Sequence, residues 1–125
     1  MEYQDSGARE PYFSAAPSSG YLILIPEGRM MGLIVGGERE PGQTDAQQAA
    51  LFRTMVAYTG HYCFEGDKYI PTVDVSWKEA WTGTEQVRFY TLDRDRFDIL
   101  TAWLPHPTHP AHRMMRAILS FERVQ

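Results

Sequence analysis

Cysteine and lysine are scarce in this chain of 125 residues. Cys63 is the only cysteine, which excludes an intramolecular disulfide and a cysteine-based zinc site. Lys68 and Lys78 are the only lysines, and the formal net charge is −4. Because no segment collects lysine and arginine, we expect no nucleic-acid partner.

Long apolar runs are also missing. The longest, "YLILIP" and "MMGLIVGG", are far shorter than the roughly 20 residues that a membrane-spanning helix needs. The N-terminal stretch "MEYQDSGARE" is polar and is unlike a signal peptide. We therefore expect a cytoplasmic protein with no membrane partner, built as a single domain over residues 1–125.

Glycine, proline and aspartate divide the chain into short extended pieces. The turns "PEGR", Gly66-Asp67 and "DRD" join neighbouring pieces, which predicts antiparallel pairing between strands that follow each other in sequence. With a weak first piece in "MEYQD", this gives about eight strands in an all-β, up-and-down order. The predicted strands cover 20–25, 30–35, 58–66, 68–77, 84–92, 96–104 and 113–124.

One segment has helical spacing instead. Thr44 is a plausible N-cap with Gln47 three residues later, which is a capping box. Apolar residues then recur at helical intervals, at Ala49, Phe52, Met55 and Val56. This pattern predicts a helix over 44–58 that lids one end of the sheet.

An open sheet of this size would leave two unpaired edges with few charges to protect them. Closure into an eight-stranded antiparallel barrel removes those edges and leaves an interior wide enough for one small ligand. A two-sheet sandwich is the alternative architecture.

The strand over 84–92 contains a charge whose direction the pattern leaves open. Arg88 shares a face with Tyr90, and Val87 shares the opposite face with Phe89. Hydrophobicity does not separate these two faces, and a shift of one residue in strand pairing would exchange them. Arg88 therefore faces either the solvent or an interior that must supply an anion.

Four segments share a distinctive order over residues 18–124: "GYLILIPEGRM", "AYTGHYCFE", "TGTEQVRFYTLD" and "LSFERV". Together they resemble the small lipocalin-like domain family of bacteria and fungi. The resemblance implies a calycin-type barrel around a pocket. Some similar barrels belong to natural-product gene clusters, where they bind or cyclise polyketide-like or terpenoid intermediates. The positions that match the family's motifs are Tyr58, Gly60, Tyr62, Trp81, Gly83, Arg88, Tyr90 and Arg123.

Two departures from the family limit what carries over. The family opens with a Gly-Thr-Trp strand that is not found here, so we expect the first strand to be short or missing. The family also tends to carry a histidine in the strand that matches 69–75, where this chain has "YIPTVDV". An acid–base role for that histidine does not carry over.

Arg88 is the leading candidate for ligand contact. Its planar guanidinium suits a carboxylate, an enolate or a phenolate, and Tyr90 would add a hydroxyl donor. The alternative is a structural ion pair with Asp74, Asp98 or Glu122. By strand alternation both aspartates are expected to face outward as solvated carboxylates, although burial would make either a candidate general base.

Three further groups have two interpretations each. Gly60, between Tyr58 and Tyr62, either leaves room for a ligand or marks a bulge. Trp81 and Trp77 form a pocket wall or cap the core. The loop with His106, His109 and His112 suggests a metal, but its prolines hold the rings apart, so a loop at the pocket mouth is the better interpretation. We expect no metal and no cofactor, since phosphate and dinucleotide motifs are absent.

The leading hypothesis is a barrel that binds a small, largely apolar molecule with a polar or anionic end. The alternative is a cofactor-independent cyclase or isomerase of a natural-product intermediate, in which Arg88, Tyr90 or His61 polarises a carbonyl. A third possibility is a filled, structural barrel that forms a homodimer. The predicted ligand-binding residues are Tyr58, Tyr62, Phe64, Trp81, Arg88, Tyr90, Ile99, Thr101, Trp103, Phe121 and Arg123.

Overall fold

A computed structural model describes residues 2–4, 9, 18–105 and 114–124 of the protein. Antiparallel strands dominate these residues, together with one α-helix and one short 3-10 helix at Glu79–Trp81. In chain order the elements are β1 (Glu2–Tyr3), β2 (Ser19–Leu24), β3 (Arg29–Val35), α1 (Asp45–Phe52), β4 (Met55–Glu65), β5 (Lys68–Ser76), β6 (Arg88–Asp93), β7 (Arg96–Leu100), β8 (Leu104–Pro105), β9 (Met114–Arg116) and β10 (Ile118–Glu122).

The strands follow one another in a meander. Seven of them pair in the order β10-β7-β6-β5-β4-β3-β2, and every neighbouring pair is antiparallel. A smaller sheet, β1-β9-β8, continues the same path, because β9 leads into β10 and β8 follows β7. The result is a nearly closed up-and-down barrel of seven strands, or eight with the short β1. This confirms the predicted fold class.

The two ends of the barrel differ in how the strands are joined. Short turns at 25–28, 66–67 and 94–95 form one end, which we call the hairpin end. Gly28 and Gly66 have φ values of 89° and 57° in these turns, a region that glycine enters without steric cost. Long connections at 36–54 and 77–87, with α1 and the 3-10 helix, form the helix end.

Helix α1 begins as predicted and ends earlier than predicted. The Thr44 side chain accepts a hydrogen bond from the Gln47 N–H, and the Gln47 side chain accepts one from the Thr44 N–H, which completes the capping box. The helix stops at Phe52, and Met55 begins β4 by pairing with Val35. Strand pairing therefore overrides the helical spacing of Met55 and Val56. In the part of the chain that the structure describes, no helix is long and apolar enough to cross a membrane.

A bulge in β5 changes which side chains face the interior. Thr59 pairs with Val75 and Gly60 pairs with Val73, so Asp74 is an extra residue. A Cβ on Gly60 would clash with the backbone oxygen of Thr72. The glycine between the two tyrosines of β4 therefore allows close strand approach at a bulge, which is one of the two predicted interpretations.

Register also decides which way Arg88 faces. Arg88 pairs with Tyr69, and Tyr90 pairs with Ile99. Tyr69 is fully buried and Ile99 is buried, so Arg88 and Tyr90 lie on the interior face of the sheet. Asp98 lies on the outer face, where Arg96 binds it at 3.0 Å.

Asp74 also faces outward. It is exposed and accepts a hydrogen bond from the Thr59 hydroxyl. That hydrogen bond is the main reason that the pKa of Asp74 is lower than usual.

Candidate functional site

A cavity of about 740 Å³ occupies the helix end of the barrel. Strands β2, β3, β4, β6, β7 and β10 form its walls, and α1 with the segment 77–81 adds further lining residues. Most of its lining is apolar or aromatic. The lining residues are Leu22, Gly32, Ile34, Ala49, Phe52, Arg53, Met55, Val56, Tyr58, Trp77, Lys78, Trp81, Arg88, Ile99, Thr101, Ala117, Ile118, Leu119 and Phe121.

The charges on this lining all have one sign. Arg53, Lys78 and Arg88 line the cavity, and none of the described lining residues is an aspartate or glutamate. Arg53 and Lys78 are exposed, whereas Arg88 is half-buried. The chain as a whole has a net charge of −4, so the cavity is a local positive region in an acidic protein. An anion in the cavity would be attracted by this field.

Arg88 is held in place by its own strand and by an aromatic ring. One guanidinium nitrogen donates to the Val87 carbonyl at 2.9 Å, and another donates to Gln86 Oε1 at 3.1 Å. The guanidinium carbon lies 5.9 Å from the centre of the Trp81 ring, within cation–π range. These contacts orient the charge toward the cavity that it lines.

Aromatic rings surround Arg88 on the same side of the cavity. The Trp81 ring packs edge-on against Tyr58 at 5.5 Å and against Trp77 at 5.0 Å. Burial raises the pKa of Tyr58, and the nearby charge of Arg88 lowers it in part. The Tyr58 hydroxyl is therefore neutral at neutral pH.

Gly32 contributes to the space in the cavity. It lies on the interior face of β3, directly opposite Leu22 on one side and Tyr58 on the other. A Cβ at this position would meet Leu22 and Tyr58 only at ordinary van der Waals distance, so the backbone does not require glycine. Its missing side chain leaves room beside Tyr58.

Aromatic side chains pack against one another at the hairpin end. Five aromatic side chains pack there with ring centres between 4.8 and 6.3 Å apart. We call this group the aromatic cluster: Tyr62, Phe64, Tyr69, Tyr90 and Phe97. The Tyr62 hydroxyl donates to the Ile25 carbonyl at 2.8 Å, and the Tyr90 hydroxyl donates to the Gly66 carbonyl at 3.2 Å.

The predicted ligand-binding residues divide between these regions. Those that line the cavity are Tyr58, Trp81, Arg88, Ile99, Thr101 and Phe121. Tyr62, Phe64 and Tyr90 belong instead to the aromatic cluster. The structure therefore brings Arg88 and Tyr58 together at the cavity, and it places Tyr90 at the opposite end.

Three other predicted residues lie away from the cavity. His61 is exposed on the outer face of β4, opposite Arg29. The Trp103 ring lies 4.3 Å from the guanidinium carbon of Arg116. Arg123 is exposed and forms an ion pair with Asp95 at 3.8 Å. The predicted loop with His106, His109 and His112 lies outside the described residues.

Sequence reasoning missed several lining residues. Arg53 and Lys78 lie in the long connections, where no alternation pattern indicates which way a side chain points. Gly32 had a usable signal, because a glycine at the centre of the apolar strand "MMGLIV" marks a position without a side chain.

A second cavity lies outside the barrel. It measures about 360 Å³ and lies between the segment 37–42 and α1. Its lining carries both Glu38 and Arg39 and none of the predicted residues. The larger cavity, which is lined by several of the predicted residues, is therefore the candidate site.

A nearly closed antiparallel barrel with an apolar cavity at one end defines the class of small-molecule-binding barrels. The model of the lipocalin-like domain matches residues 1–124. The chain therefore belongs to the lipocalin-like domain family, as its motifs predicted. No curated protein matches it, and no solved structure does.

Proposed function

We propose that this barrel binds a small, largely apolar molecule whose anionic end lies at Arg88. One observation carries the proposal: the cavity is apolar, and its described lining has three cations and no carboxylate. A volume of about 740 Å³ lies within the roughly 300–1,000 Å³ range of small-molecule sites.

The position of Arg88 supports an anion there rather than a neutral group. The planar guanidinium presents several N–H donors, which suit an anion because charge-assisted hydrogen bonds are stronger than neutral ones. The aromatic walls formed by Tyr58 and Trp81 beside it suit a flat or branched apolar body. Arg53 and Lys78, both exposed at the cavity, would favour entry of an anion.

A matched pair of fluorescent probes tests this proposal. 8-Anilinonaphthalene-1-sulfonate and N-phenyl-1-naphthylamine share an apolar skeleton, and only the first carries an anion. We expect Arg88→Gln to weaken binding of the sulfonate about tenfold or more, since hydrogen bonds to charged groups contribute about 1.5–3 kcal/mol. Binding of the neutral probe should stay within about twofold.

Arg29→Gln is the control, because Arg29 is exposed on the outer face of the barrel. It should leave both affinities unchanged. Equal losses for the two probes in Arg88→Gln would contradict an anion-specific role. If neither probe binds the wild-type protein, the cavity does not serve as a binding site for molecules of this class.

A cofactor-independent cyclase or isomerase is the second candidate. Arg88 and the Tyr58 hydroxyl face one cavity, and a cation beside a neutral donor is an arrangement that stabilises an enolate. The described lining lacks the carboxylate or histidine that a proton transfer from carbon would ordinarily use. Binding is therefore the better-supported function.

The two functions separate by following a ligand over time. Incubation with a polyketide-like β-diketone, monitored by NMR, would reveal isomerisation or cyclisation that Arg88→Gln slows. An unchanged spectrum alongside saturable binding supports the binding protein.

A further inference from the structure

The interior tyrosines fall into two pairs according to what their hydroxyls contact. Four tyrosines face the interior among the residues described here. The hydroxyls of Tyr62 and Tyr90 donate to backbone carbonyls of the hairpin-end turns. Those of Tyr58 and Tyr69 form no hydrogen bond with any residue in the described ranges.

Tyr69 is the more unusual of the second pair. Its side chain is fully buried, and its hydroxyl oxygen has no partner in the described part of the chain. A buried hydroxyl without a hydrogen bond is destabilising, so such groups are rare and call for an explanation. A valine or phenylalanine would pack at this position without that penalty.

The surroundings of Tyr69 connect it to the cavity. It pairs directly with Arg88 across β5 and β6. It also lies close enough to Tyr58, which lines the cavity, and to Tyr62 to interact with both electrostatically, and burial raises the pKa of Tyr58 and of Tyr69. Tyr58 and Tyr69 therefore carry neutral hydroxyls, one on the lining that holds Arg88 and the other on the strand position paired with Arg88.

We propose that Tyr58 and Tyr69 complete a polar subsite with Arg88 that binds an anion with at least two acceptor oxygens. A carboxylate, a sulfonate or an enolised dicarbonyl has this chemistry, whereas a neutral alcohol does not. Tyr58 contacts the ligand oxygen. Tyr69 is covered, so it acts through Tyr58 or one bridging water and is a positioning residue. This inference rests on the proposed function and specifies the ligand's polar end.

Four tyrosine-to-phenylalanine variants test the subsite with the same two probes. We expect Tyr58→Phe and Tyr69→Phe to weaken binding of 8-anilinonaphthalene-1-sulfonate about tenfold each. Binding of N-phenyl-1-naphthylamine should stay within about twofold, since it lacks the oxygens. Tyr62→Phe and Tyr90→Phe are the matched controls, because their hydroxyls contact backbone carbonyls, and neither affinity should change.

Thermal unfolding without probe gives a second readout. Tyr69→Phe removes an unpartnered hydroxyl and should leave the melting temperature unchanged or raised. Tyr62→Phe and Tyr90→Phe each leave a backbone carbonyl without its hydrogen-bond donor, so each should lower the melting temperature. A purely structural role for Tyr69 predicts a lower melting temperature with sulfonate affinity unchanged, which would overturn the inference.

Sulfonate affinity within twofold of wild type in both Tyr58→Phe and Tyr69→Phe would also overturn it, as would equal losses for the two probes. If one variant does not fold, the other decides the result by the same criterion. These outcomes are distinct from failure of the proposed function: in that case Arg88→Gln would leave the sulfonate affinity unchanged.

Discussion

The two ends of this barrel use similar side chains for opposite purposes. At the hairpin end, the rings of the aromatic cluster pack against one another, and the Tyr62 and Tyr90 hydroxyls donate to backbone carbonyls. At the helix end, Tyr58 and Trp81 line an empty volume beside Arg88. Aromatic content by itself therefore does not distinguish a packed part of the barrel from a cavity.

The connections explain why the cavity is at the helix end. Two- to four-residue turns hold strands together at the hairpin end, and interior side chains meet there. Long connections with α1 and the 3-10 helix span the other end and cover a volume that the strand side chains do not fill. The barrel is stabilised at one end, which allows the other to remain hollow.

The largest expected effect is a loss of folding stability at the hairpin end. Phe97 contacts three rings of the aromatic cluster, so Phe97→Ala should lower the free energy of unfolding by about 3 kcal/mol. Phe52→Ala, at the cavity, is the matched change. Because Phe52 is 46% exposed, this substitution should lower the free energy of unfolding by less than about 1 kcal/mol. Urea unfolding measures both. Equal losses would show that the two ends contribute alike to stability.

An intermediate effect is expected from filling the helix end. Gly32→Val would place methyl groups in the cavity beside Tyr58 without a backbone clash. Both the anionic and the neutral probe should bind about tenfold more weakly, while the melting temperature stays the same or rises. Met31→Val, on the outer face, is the control for valine in this strand. Unchanged affinity in Gly32→Val would mean that the probes bind elsewhere.

The smallest expected effect concerns acid stability at the edge of the barrel. Glu2 joins β1 to β9 through Arg116 at 2.7 Å and also binds Arg9 at 3.0 Å. Burial acts to raise the pKa of Glu2, but hydrogen bonds from Arg116 and Arg9 keep it below its usual value. A carboxylate with a lowered pKa stabilises the fold above its ordinary pKa, and this contribution is lost as the pH falls through the folded-state value.

Glu2→Gln should therefore reduce the difference in melting temperature between pH 7 and pH 3. Glu65→Gln, at an exposed position of β4, is the control and should leave the difference unchanged. If Glu2→Gln leaves the difference in melting temperature as large as in the wild type, other carboxylates, such as Asp98, cause the acid sensitivity.

Much of the fold follows from local sequence signals. Turn glycines and the Thr44–Gln47 capping box are local, so the strand order and the helix start could be predicted. The helix end could not, because Met55 pairs with Val35, which is twenty residues earlier. The direction of Arg88 was left open for the same reason, since it depends on the pairing with Tyr69.

The residues that line the cavity could be predicted only in part. Arg88, Tyr58 and Trp81 were identified from their motifs, and the structure places them together at the cavity. Tyr90 shares the Arg88 face, as alternation predicts, but its hydroxyl binds the Gly66 carbonyl. Which tyrosine binds a turn and which faces the cavity depends on the shear of the barrel, which a single sequence does not reveal.

The extra residue in β5 decides which side chains near the helix end of this strand face the interior. Before Asp74 the odd-numbered residues of β5 face inward, and after it Ser76 faces inward opposite Tyr58. A regular strand through Asp74 would instead turn Val75 inward and Ser76 outward. Deleting Asp74 would remove the bulge and keep Ser76 opposite Tyr58, so the two faces at this end of β5 would not be exchanged.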